Sequence, residues 1–137
     1  MQNSPIIKKY QPQTAAEAFA EILNGETPQL VVGNFLDDWR RLPSQARELL
    51  VKTPIGVGQT VEEKRWAAFF AAMVDQLCKN DSAIQSPPDW INDPIFRLDE
   101  PWFMIKGYSL RAWQLFTTPV PFKMRNIFGG DNLLSRA

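Results

Sequence analysis

Apolar residues along the first eighty positions recur at the three-to-four spacing of helices that bury one side. Thr14 and Glu17 have capping-box spacing, Phe19, Ile22 and Leu23 follow on one face, and Gly25 stands where such a helix would stop. Thr27 and Pro28 read as a cap and a first-turn proline. They open a helix whose apolar side is Val32, Phe35, Leu36 and Trp39 and whose other side holds Asn34, Asp37, Asp38, Arg40 and Arg41. A short helix with Ala46, Leu49 and Leu50 is expected between Pro43 and Pro54, with residues 55–59 as a loop. The clearest helix runs from Val61 to about Lys79, behind a second capping box at Thr60 and Glu63. Its stripe of Trp66, Phe69, Phe70, Met73, Val74 and Leu77, with alanines between, predicts the central packing face.

Beyond residue 80 the pattern changes. Six of the 11 prolines lie between Pro87 and Pro121, and 9 of the 16 aromatic residues between Trp90 and Phe128. Prolines interrupt helices, whereas such a density of rings is foreign to disordered chain. The expected structure is a run of short helical turns pinned onto the preceding bundle by aromatic side chains. Ser109 would cap a helix over 110–117 that packs through Trp113 and Phe116. Thr118 and Pro119 would start another turn, and Asp131 would cap a last one over 132–136. No stretch alternates as a strand does. The predicted fold is all-α: one domain over residues 1–137, a compact bundle of four regular helices wrapped by short ones, with residues 1–12 as a flexible N-terminal arm.

Composition narrows the chemistry. The chain contains no histidine and one cysteine, Cys78. That removes the usual general base, the histidine-activated nucleophiles and the common zinc ligands. The lone thiol excludes an intramolecular disulfide framework and fits a reducing cytoplasm, where the protein is expected. The longest apolar run, residues 66–74, is half the roughly 18–20 residues a membrane span needs, and no secretory leader is expected in MQNSPIIKKY.

Charge is balanced overall, with 15 bases and 15 acids, but unevenly placed. Residues 11–105 hold 14 acids and 8 bases, whereas residues 106–137 hold five bases and Asp131 alone. Asp89, Asp93, Asp99 and Glu100 crowd a dozen positions, as ligands of a hard cation would, but they stand beside prolines as caps and turns do. Local capping, or pairing with Arg97, is the expected role, and Asp37 is expected to pair with Arg41 on its helix. Gly56 and Gly58 lack the rest of a dinucleotide loop. Gly129 and Gly130 could offer backbone N–H groups to an anion, although a sharp turn explains them more simply. No catalytic or metal-ligating residue and no cofactor is expected.

The runs WINDPIFRLDEPWF, SLRAWQL and TPVPFKMRNIFGGDNLLSRA, with VVGNFLDDWRR and RWAAFFAAMV upstream, resemble a group of small uncharacterised bacterial proteins. Residues 30–137 carry the resemblance. It implies a gene beside one for a nucleotidyltransferase-like protein, hence a toxin–antitoxin or defence arrangement, and brings no active site with it. The expected function is therefore binding: an antitoxin-like or accessory partner of a neighbouring enzyme, acting by steric occlusion. Trp102, Phe103, Lys106, Arg111, Phe122, Lys123, Arg125, Phe128 and Arg136 are the candidate contact residues, because aromatic side chains and arginine are enriched at interfaces. Most of residues 121–137 should fold back on the core, Lys123, Arg125 and Arg136 pairing with the acidic first half. A homodimer or other self-assembly, and weak nucleic-acid binding through the basic end, are the alternatives.

Overall fold

The computed structural model describes residues 11–135. Arg136 and most of the expected N-terminal arm lie outside them. The described chain is mostly helical: α1 (Ala15–Leu23), α2 (Pro28–Arg41), α3 (Ser44–Val51), α4 (Val61–Asn80), α5 (Arg111–Thr117) and α6 (Val120–Lys123). Single 3-10 turns occupy Asp89–Asn92, Pro94–Phe96 and Tyr108–Leu110. The all-α expectation holds, with one addition. A two-residue strand β1 (Trp102–Phe103) pairs in parallel with β2 (Ile127–Phe128), Trp102 against Ile127 and Phe103 against Phe128. A pairing this short leaves no alternation in the sequence to detect.

Both capping boxes form. Thr14 and Thr60 each accept from the backbone N–H of the glutamate three residues on, and each glutamate accepts from its cap residue's own N–H. Glu63 also accepts from Gln59 N at 2.8 Å, and these backbone donors hold its carboxyl below the usual range. Thr27 precedes α2 without a side-chain cap bond, the first-turn Pro28 removing one of the orphan donors.

α4 is the axis of the molecule. Every residue from Trp66 to Asp75 is buried, the alanine side as fully as the aromatic stripe. A helix apolar all round must be covered all round. α1 and α2 supply one side: the Phe70 ring meets Phe19 at 5.8 Å and Phe35 at 6.0 Å, both edge-on. The proline-rich half supplies the other, where Phe69 meets Phe122 and Trp66 meets Trp102, each pair at 5.2 Å. α3 buries Leu50 and Val51 but turns Leu49 outward at 66% exposure, against its expected place in the core. It is fastened to the end of α4 by Asp81, which accepts from Ser44 and pairs with Arg47 at 2.9 Å. Those donors, Ser44 first, lower the Asp81 carboxyl.

The wrap is also tied by polar bonds. Trp90 Nε1 donates to the Val51 carbonyl at 2.8 Å. Arg125, 4% exposed, donates to Asp75 Oδ2 at 3.1 Å, to the Pro121 carbonyl at 2.7 Å and to the Ile91 carbonyl at 2.9 Å. Burial lowers the affinity of its guanidinium for the proton, and the Asp75 charge opposes that. Lys79 Nζ stands 3.1 Å from the other Asp75 oxygen as an ion pair, although that oxygen receives no well-aligned hydrogen bond. Residues 121–128 thus fold back as expected, with Phe122, Arg125 and Ile127 inside. The expected final turn after Asp131 forms, Ser135 N bonding to the Asn132 carbonyl at 3.1 Å.

Candidate functional site

Exposed apolar side chains concentrate in one segment. Among the described residues, eight of the thirteen large exposed hydrophobics fall between Ile105 and Met124. Tyr108 and Phe116 are extreme, at 84% and 85% exposure. The expectation that α5 packs inward through Trp113 and Phe116 is therefore corrected for Phe116, which faces solvent; Trp113 is 40% exposed with its ring against Gly130, and the buried residue of the helix is Gln114.

The reason is a polar anchor. The Gln114 amide accepts from Ile105 N and donates to the carbonyls of Ile105 and Leu110, at 3.1 to 3.2 Å. These bonds pair backbone groups of Ile105 and Leu110, so the amide faces inward while Phe116 turns outward. One turn on, the Thr118 hydroxyl donates to the Gln114 carbonyl and accepts from Gly129 N and Gly130 N. The glycine N–H groups thus serve the fold and are not offered to an anion. Gly130 sits at φ +86°, and an added Cβ would lie 2.3 Å from the Trp113 ring, so the indole lies directly over it.

The basic side chains join this surface. Arg111 lies over the rings of Phe103 and Tyr108, 4.9 and 5.3 Å from their centroids, and Phe103 stacks on Phe128 at 5.2 Å. Lys123 Nζ reaches the Phe116 carbonyl at 3.4 Å, while Lys106 is exposed. No aspartate or glutamate occurs between residues 101 and 130.

The expected contact residues consequently divide. Phe103, Arg111 and Phe128 pack together beside α5, Lys123 reaches its Phe116 carbonyl, and Lys106 is exposed on the chain that leads into it. Trp102 is half-buried against Trp66, with the Arg65 guanidinium over its ring at 5.5 Å. Phe122 and Arg125 are withdrawn from the surface: the first completes the core against Phe69, and the second is consumed by Asp75 and two carbonyls. Of the predicted pairings to the acidic half, Arg125 makes one and Lys123 does not. The sequence pattern did not mark Tyr108, Trp113 and Phe116 as surface residues. The signal that could have found them was the acid-free run, in which Gln114 stands between the apolar residues Trp113, Leu115 and Phe116 of a seven-residue helix.

Elsewhere the surface offers little chemistry. Asp93 caps its turn through Ile95 N at 3.0 Å, and Arg41 pairs with Asp38 at 2.8 Å. Among the described residues no group of carboxylates or cysteine is arranged to hold a metal. Cys78 is buried, its thiol pushed up to about 12 by desolvation and then by the nearby charges of Asp75, Asp81 and Glu48. Clefts such as the one between Ile91, Arg97 and Met124 measure about 220 Å³. No described helix is long and apolar enough to cross a membrane.

Compared with protein-family models, curated proteins and solved structures, the chain gives no match.

Proposed function

We propose that this chain is a non-catalytic binding domain that acts as the antitoxin-like or accessory partner of an enzyme encoded beside it, through the face built on α5. The observation that carries the reading is the outward presentation of Tyr108 and Phe116 on a segment otherwise held firmly by Gln114, Thr118 and Gly130. A backbone held in place before binding loses little conformational freedom when a partner covers the rings it carries. Trp, Tyr and Arg dominate binding hot spots, and here Arg111 lies over the exposed Tyr108 ring, with half-exposed Trp113 on the same helix. The missing histidine and the shallow clefts also favour contact over turnover. Occlusion of the enzyme's site by this projecting face is the mechanism.

Co-expression with the products of the adjacent genes, followed by size-exclusion chromatography, tests the reading. Co-elution is expected with one of them, and Tyr108→Ala with Phe116→Ala should weaken it by roughly 2 kcal/mol or more, the scale of hot-spot truncation. Elution of the chain alone in the presence of every neighbour would refute it.

A further inference from the structure

We infer that the surface received by the α5 face is acidic as well as apolar: a protein segment whose exposed hydrophobic side chains are flanked by aspartate or glutamate. This rests on the reading above that the occupant is a protein. Charge complementarity carries it. Arg111 lies over the Tyr108 ring, Lys123 reaches the Phe116 carbonyl and exposed Lys106 precedes Tyr108 by two residues, and none of the three has a carboxylate partner among the described residues. Residues 101–130 contain no acid, so this stretch of chain supplies no counter-charge of its own. A partner that desolvates these cations without compensating them would lose affinity, whereas carboxylates at the rim would steer encounter and fix register.

The same charges disfavour the other occupants. A second copy docked symmetrically would bring the cations of one face against those of the other. Phosphate-tracking proteins make about 6–10 phosphate contacts and polybasic lipid-binding segments use about 4–8 bases, against the three here. Two rings that could serve as stacking platforms for bases, Phe103 and Phe128, are stacked on each other. α5 is seven residues, about 10 Å long, well short of the helices that lie in a membrane interface.

The test uses two synthetic helix-forming peptides with identical leucine and phenylalanine positions, one flanked by glutamates and one by lysines. Binding to the whole protein is read by fluorescence anisotropy. The glutamate peptide is expected to bind at least tenfold more tightly than the lysine peptide, and less tightly as salt rises. Lys106→Glu with Lys123→Glu should reverse that order, and Tyr108→Ala with Phe116→Ala should weaken the glutamate peptide at least tenfold. All four side chains lie outside the core, and an unchanged melting temperature verifies folding. Equal affinity for both peptides, binding of neither, or preferential binding to phosphatidylserine-containing vesicles or a single-stranded oligonucleotide would each overturn the inference. A complex with a neighbouring gene product that survives the double charge reversal would do so too, while leaving the protein-binding reading intact. Acid-selective peptide binding without any co-eluting neighbour would instead support the acidic occupant and refute the adjacent gene product as its source.

Discussion

Replacing Arg125 by methionine keeps most of the aliphatic stem and removes the charge and its donors. In the folded protein those donors serve Asp75 Oδ2 and the carbonyls of Pro121 and Ile91. Removing one partner of a buried ion pair costs about 3–5 kcal/mol, because the other charge is left uncompensated. Lys79 moderates this from its place 3.1 Å from the second Asp75 oxygen, while the two orphaned carbonyls act in the opposite direction, each by about 1–3 kcal/mol where water cannot reach them. A loss of about 3–5 kcal/mol is therefore expected, a large part of the roughly 5–15 kcal/mol available to a domain. Asp75→Leu alone should fall in the same range, since it strands the buried guanidinium. The double variant removes both charges and leaves chiefly the carbonyls, so it should be more stable than either single variant. Urea unfolding followed by far-ultraviolet circular dichroism and tryptophan fluorescence gives the three values. A loss below about 1 kcal/mol in Arg125→Met, or a double variant that loses the sum of the singles, would refute the view that this pair anchors the wrap to α4.

Three other positions give sharp expectations. A Cβ at Gly58 would lie 2.6 Å from the Glu63 backbone carbon, which cannot yield as a side chain can, so Gly58→Ala should destabilise by about 1–3 kcal/mol in the same unfolding assay. Cys78 should be inert to a thiol reagent in the native protein and react fully in urea. Its folded pKa of about 12 lies above the roughly 8.5 of a free thiol, so its contribution is complete below pH 8.5 and declines as pH rises toward 12, a slope that Cys78→Ala should flatten in pH-dependent melts. For Asp81 the sign is opposite: its folded pKa is lowered, so its contribution is present above about pH 4 and is lost as pH falls through the folded value. Asp81→Asn should accordingly melt with a shallower decline than the parent protein between about pH 5 and pH 2.

What could be read from the sequence was what neighbours in the chain decide. The boxes at Thr14 and Thr60 are three-residue devices, and the α4 stripe is a periodicity within one helix, so both were legible in advance. The arrangement of the second half was not, because its fastenings span long separations: Arg125 to Asp75 across 50 residues, Trp90 to Val51 across 39. The outward turn of Phe116 was illegible for the same reason. Ring size argued for burial, whereas the orientation of α5 is decided by one glutamine meeting the backbone nine residues earlier. The partner face was thus legible as a composition, basic and aromatic without acids, and its membership was legible only in part, since Phe122 and Arg125 satisfy the same description from inside the core.

The Gln114 contacts with Ile105 have a consequence for descent as well as for stability. They close residues 105–114 into a loop tied at its base, and no side chain between its ends is buried. Gly107 is fixed by its φ of +115° and Trp113 by its seat on Gly130, while substitutions elsewhere on that outer arc leave the tie and the interior undisturbed. Relatives that keep Gly107, Trp113 and the glutamine can therefore exchange the other residues between, changing what they recognise while inheriting the same scaffold.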